Sequence, residues 1–188
     1  GGLTALGYNT LNMAIVTAFG GWAAFVLSRK VMPRTSAGVV GAGAVAAGIS
    51  VVLSSAAFSI EWLFGASAPV AFDTVFGAMV GVHVLIGIGE AVITGLVLSA
   101  VMASRPDLVR GAAHLSADEL DATSRVGFRP FVIGSVCAAV AVGVVVSQFA
   151  ASSPDGLERV AIDNGFEESA TDHALGSSWF SDYATAGI

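Results

Sequence analysis

Two pairs of side chains in this 188-residue sequence sit oddly in the apolar stretches that hold them. His83 and Glu90 are the only ionisable groups between Phe76 and Met102. An imidazole and a carboxylate are groups that relay protons or ligate a transition metal. At i and i+7 they fall on one helical stripe, with Gly87 between them. About 10 Å of helical rise keeps them too far apart to share one ion, and a transition metal asks for about four ligands. Three roles stay open: buried hydrogen bonds that tie helices together, proton transfer or support behind a metal ligand, and direct ligation. Asn9 and Asn12 form the second pair, three residues apart and so on one helix face. Unpaired amides near hydrocarbon are costly. They are expected to hydrogen-bond to another helix or a buried loop; lining a substrate site is the alternative.

The chemistry stops there. No P-loop, GxSxG, HExxH or CxxC is present. Gly87-Ile-Gly-Glu90 lies inside an apolar run and is not a phosphate cradle. Cys137 is the single cysteine, which excludes an intramolecular disulfide and a multi-cysteine metal site. The three histidines, His83, His114 and His173, are too dispersed to converge on one ion. No tight metal site and no bound cofactor are expected.

Composition says what must position these residues. Mean hydropathy is +0.80, 55% of residues are hydrophobic and 12% are charged, against about 25% charged in soluble domains. This excludes a water-soluble globule and a disordered chain. A net charge of -6 without a basic patch excludes nucleic-acid binding. The lipid bilayer is the expected surrounding, in the cell (inner or plasma) membrane. Four runs are long enough to cross its core of about 30 Å: about Leu11 to Ser28 (with a possible start as early as Leu3), Ala37 to Ile60, Phe76 to Met102 and Phe131 to Ala151. The fold class is therefore all-α, a polytopic transmembrane bundle of about four spans with a small extracytoplasmic C-terminal tail.

Seven of the eight basic residues set one orientation. Arg29, Lys30 and Arg34 follow span one; Arg105 and Arg110 follow span three; Arg125 and Arg129 precede span four. The loop after span two carries Glu61 and Asp73 and no Lys or Arg. The positive-inside rule puts the basic loops in the cytoplasm and the tail outside, with Trp62, Phe64 and Phe72 at the outer aromatic belt. Small residues crowd spans two and three, including Gly77 and Gly81 at GxxxG spacing and the row Gly87, Ala91, Gly95. They predict close helix packing within the chain or against a second subunit. In the linker, Ser116 and Glu119 fit a capping box. In the tail, Ser153 and Pro154 fit the start of a short helix and Gly165 its end.

The segment Gly1-Gly-Leu-Thr-Ala-Leu-Gly-Tyr-Asn-Thr-Leu-Asn-Met13 resembles part of the CbiM/NikM family, and so does Gly81-Val-His-Val-Leu-Ile-Gly-Ile-Gly-Glu-Ala-Val-Ile-Thr94. Pro154, Asp155, Gly156, Leu157 and Glu158 resemble the PDGLE module, similar to the CbiN/NikN accessory subunit. The family's tail often ends Asp-Tyr-x-x-Pro-Gly; here Asp182-Tyr183 is followed by Ala-Thr-Ala-Gly-Ile188, without the proline.

The resemblance implies residues 1–103 as the C-terminal part of a capture-subunit membrane domain, 104–129 as a cytoplasmic linker, and 130–188 as one span plus an extracytoplasmic tail. It implies Co2+ or Ni2+ as cargo, a membrane coupling (T) subunit and two cytoplasmic ATPases as partners, and no enzymatic activity in this chain. The family's metal ligands, an N-terminal Met-His segment and an early membrane histidine, lie upstream of Gly1. The expectation is an N-terminally shortened chain with no family metal ligand; Asn9, Asn12, His83 and Glu90 then have structural or supporting roles. Two other readings compete. A membrane anchor or assembly protein leaves the buried His and Glu as a needless cost. A membrane enzyme using His83 and Glu90 lacks a nucleophile or metal cluster.

Overall fold

The computed structural model describes residues 5–66, 70–116, 127–145, 148 and 156–165. The first rod, Leu6–Val31, is made of α1 (Leu6–Asn9), a π-helical segment (Thr10–Val16) and α2 (Thr17–Val31). A π-turn bonds i to i+5 and leaves backbone groups poorly matched. Thr10 Oγ1 donates to the Leu6 carbonyl at 2.7 Å and Thr17 Oγ1 donates to that of Met13, giving those oxygens partners. Pro33 ends the rod. The residue before a proline is pushed out of the helical region, and Met32 is extended at ψ 150°.

Helix α3 (Ser36–Gly65) starts at Thr35, whose Oγ1 accepts from the Gly38 N–H at 3.2 Å, a side-chain N-cap. Helix α4 (Phe72–Ser104) has Asp73 in its first turn, where the helix dipole favours a carboxylate. It ends before Pro106, by the same rule that ends α2. Two 3-10 turns follow, Pro106–Leu108 and Arg110–Ala112. Helix α5 (Phe128–Val145) and the short α6 (Gly156–Asp163) complete the described chain. Among the described residues, four helices are long and apolar enough to cross a membrane. The secondary structure of the described residues is all helical, and the chain is a multi-pass membrane protein.

The helices run past the expected edges. Ser36–Gly65 and Phe72–Ser104 begin earlier and end later than the apolar runs, and Leu6–Val31 begins between the two expected starts, Leu3 and Leu11, and ends later than Ser28. Helical hydrogen bonding continues into the interface, where an exposed polar residue such as Asp73 is solvated; hydropathy stops at the hydrocarbon edge. The described part of span four is Phe128–Val145, and the rest of its expected length lies outside the described residues. So does most of the capping box beginning at Ser116.

Helices α3 and α4 cross with their backbones in contact. A Cβ on Gly48 would stand 2.9 Å from the Gly87 carbonyl oxygen, and one on Gly87 would stand 2.8 Å from that of Gly48. Ala91 and Gly95 extend the same row against Gly48 and Ala44. The Gly77/Gly81 pair takes no part: a Cβ at either would meet nothing within 4 Å. GxxxG spacing puts two glycines on one face, and that face is turned away from the described helices.

One core cluster sits at the basic end, where Val39, Met102, Ala112 and Leu115 pack with Phe25 and Leu98. The other sits at the acidic end, where Val160 of α6, 4% exposed, packs on Val75 and Met79 of α4. Gly165, at φ +68°, closes α6 with its N–H donating to the Ile162 carbonyl at 3.2 Å. Ser153, Pro154 and Asp155, the expected start, lie outside the described residues. Gly156 and Leu157 begin the helix, and Glu158 is exposed on it. Helix α5 stands apart, with no buried residue, and Arg105 lies over the Phe128 ring at 5.5 Å.

Candidate functional site

Near the acidic end, α1, the π segment, α3 and α4 enclose a cleft of about 380 Å³. Asn9, Asn12 and Met13 form one wall, Ser54 and Ser55 the floor, and Met79 and His83 the other wall. Three of the four polar residues singled out in the sequence therefore meet in one place. The wide π-turn faces Asn12 inward, where it is 4% exposed.

Asn12 Nδ2 donates to Glu61 Oε2 at 2.8 Å, across 49 residues of sequence. A hydrogen bond to a charged acceptor is worth about 1.5–3 kcal/mol. The other amide atom, Asn12 Oδ1, is buried and has no hydrogen-bond partner, a cost of about 1–3 kcal/mol for an unmatched acceptor. Ser55 and Ser59 donate to carbonyls of their own helix, Val52 and Ser55, both at 2.9 Å.

His83 is half-buried, with Nδ1 2.7 Å from the Met79 carbonyl oxygen. A carbonyl only accepts, so Nδ1 carries the hydrogen. In the neutral ring, Nε2 then holds the lone pair. Of the three roles open for His83 and Glu90, a hydrogen bond between helices is seen for neither among the described residues. The bond of His83 is to its own helix, four residues back. Glu90 is exposed midway along α4 and makes no hydrogen bond or ion pair among the described residues. The i, i+7 stripe turns slightly along a straight helix. Gly87 between them takes the contact with α3, and Glu90 falls past its edge.

Glu61 was read in the sequence only as a loop charge. The structure puts it in the last turns of α3 with its carboxylate on Asn12. No local signal marks this; only the packing of the π-helical segment on α3 brings the two together.

The basic end is arranged differently. Arg29 Nη1 donates to the Pro33 carbonyl at 2.8 Å, and Nη2 lies 3.2 Å from His114 Nε2. Asp107 accepts from Arg105 at 2.9 and 2.6 Å. That hydrogen bond, with the carboxylate charge, holds the Arg105 guanidinium above its ordinary pKa. Among the described residues, no group of three or more His, Cys, Asp or Glu is placed to hold a metal ion.

Comparison with known proteins places these features. Residues 1–108 match the CbiM family, described as a cobalt uptake substrate-specific transmembrane region. Residues 129–188 match the PDGLE domain. A metal transport protein of Haloquadratum walsbyi is 31% identical over 109 residues, covering 58% of this chain and 47% of that protein. A fused nickel transport protein, NikMN, of Archaeoglobus fulgidus is 33% identical over 113 residues, covering 60% of this chain and 36% of that protein. This chain thus spans less than half the length of the curated relatives it matches. No solved structure matches it.

Proposed function

This chain belongs to the CbiM family of cobalt-uptake transmembrane regions, and from that premise we propose that it is part of the membrane substrate-capture subunit of an ATP-driven cobalt or nickel uptake transporter. The observation that carries the reading is one chain holding a CbiM region at 1–108 and a PDGLE domain at 129–188, the fusion implied by the name of the Archaeoglobus relative. The family is generally not catalytic, in keeping with a sequence that holds no catalytic motif. In this reading ATP is hydrolysed by separate cytoplasmic subunits, and a membrane coupling subunit links them to this one. The basic end faces the cytoplasm by the positive-inside rule. The acidic end, with the cleft and α6, faces the side from which the metal arrives.

The test is metal accumulation in cells lacking their own nickel and cobalt uptake. The transporter containing this sequence is expressed with its partner subunits, and cell-associated Ni2+ and Co2+ are measured by mass spectrometry. Uptake of at least one ion is expected, and it should vanish when the partner ATPase is inactivated. No accumulation of either ion by a correctly inserted transporter overturns the proposal.

A further inference from the structure

We infer that the cleft at the acidic end is a transit site for one partly hydrated divalent first-row cation, held by His83 Nε2 and, beside it, by Asn12 Oδ1 with the Glu61 charge. The inference rests on the uptake reading only for its biological direction; the site itself is argued from the residues. His83 is tied through Nδ1–H to the Met79 carbonyl. A ring that donates one N–H to a backbone carbonyl keeps the other nitrogen available to a metal, and metal-binding histidines are commonly held this way. His83 also lines the cleft. Across from it, Asn12 is 4% exposed, lines the same cleft, and has a buried carbonyl oxygen without a partner. Its amide nitrogen is committed to Glu61, which fixes the side-chain orientation and leaves an acceptor beside a carboxylate.

Two acceptor-bearing side chains lining one cleft, one of them bonded to a carboxylate, ask for something that offers positive charge. An imidazole nitrogen suits nickel, copper, zinc and iron better than magnesium or calcium. At the acidic end Glu61, Asp73, Glu158 and Asp163 outnumber the single Arg159, already bonded to Asp163 at 2.9 Å. The field there attracts cations. One imidazole is too few for a tight site. The ion therefore keeps water and binds weakly, as suits passage rather than storage.

The test uses the purified chain in lipid nanodiscs, titrated with NiCl2 by calorimetry and with CoCl2 by visible absorption. One ion should bind, more weakly than micromolar, with a cobalt spectrum showing a nitrogen ligand. His83→Gln, which keeps size and polarity but lacks Nε2, should weaken Ni2+ binding at least tenfold, and Asn12→Leu severalfold. His114→Ala should change nothing. Unchanged affinity in His83→Gln overturns the site. So does an all-oxygen cobalt spectrum in the wild type, which decides the matter even if a variant fails to fold. The two proposals fail separately. Binding through His83 without cellular uptake removes the transporter reading and keeps the site. Uptake that persists in His83→Gln, with no binding through His83, removes the site and keeps the transporter.

Discussion

At the basic end Thr35 caps α3, Arg29 holds the Pro33 carbonyl and meets His114, and four apolar side chains close beneath them. At the acidic end Asn12 spends one amide atom on Glu61 and keeps the other buried without a partner, beside a cleft of about 380 Å³. Both ends are built from helix termini of the same rods. Among the described residues the basic end leaves no buried side-chain polar atom without a partner, as a structural element does. The acidic end leaves one unmatched within reach of an open cavity, and such exceptions concentrate where ligands bind.

The largest expected effect comes at the crossing on which both ends depend. Gly87→Val puts a branched side chain where even a Cβ stands 2.8 Å from the Gly48 carbonyl oxygen. The opposing atom is backbone and cannot swing aside, so α3 and α4 must separate. Overpacking costs about 1–3 kcal/mol or more. Most of the protein should be lost from the monodisperse peak in size exclusion, whereas Gly81→Ala, which meets nothing within 4 Å, should elute normally. Normal elution of both breaks the claim that backbone contact sets the helix spacing.

The next effect sharpens the acidic end. In a double-mutant cycle of Asn12→Leu and Glu61→Leu, followed by thermal unfolding in detergent, the coupling should be about 1.5–3 kcal/mol. The double variant should be more stable than the sum of the single losses, because removing both partners leaves nothing unmatched. Additive losses would show that the 2.8 Å bond contributes nothing.

The smallest effect is at the basic end. Thr35→Ala removes the cap accepted from the Gly38 N–H and should cost about 1 kcal/mol, seen as faster amide exchange confined to the first turn of α3. Ni2+ binding should not change. A change in metal affinity there would undo the division of labour between the two ends.

The four spans were legible in the sequence, because burial in lipid acts residue by residue. Hydropathy locates Ser36–Gly65 and Phe72–Ser104 to within a few residues. Asn9, Asn12 and His83 were legible as misfits, since a polar group in hydrocarbon needs a reason. Their company was not legible. The carboxylate that meets Asn12 lies 49 residues away, and which face of a uniformly apolar helix turns inward is a matter of packing. The same packing put Gly87 in contact and Gly77 and Gly81 outside it, and left Glu90 exposed. Sequence sets what each segment can tolerate around it; only the close approach of helices, decided by shape over the whole interface, sets which segments share a site.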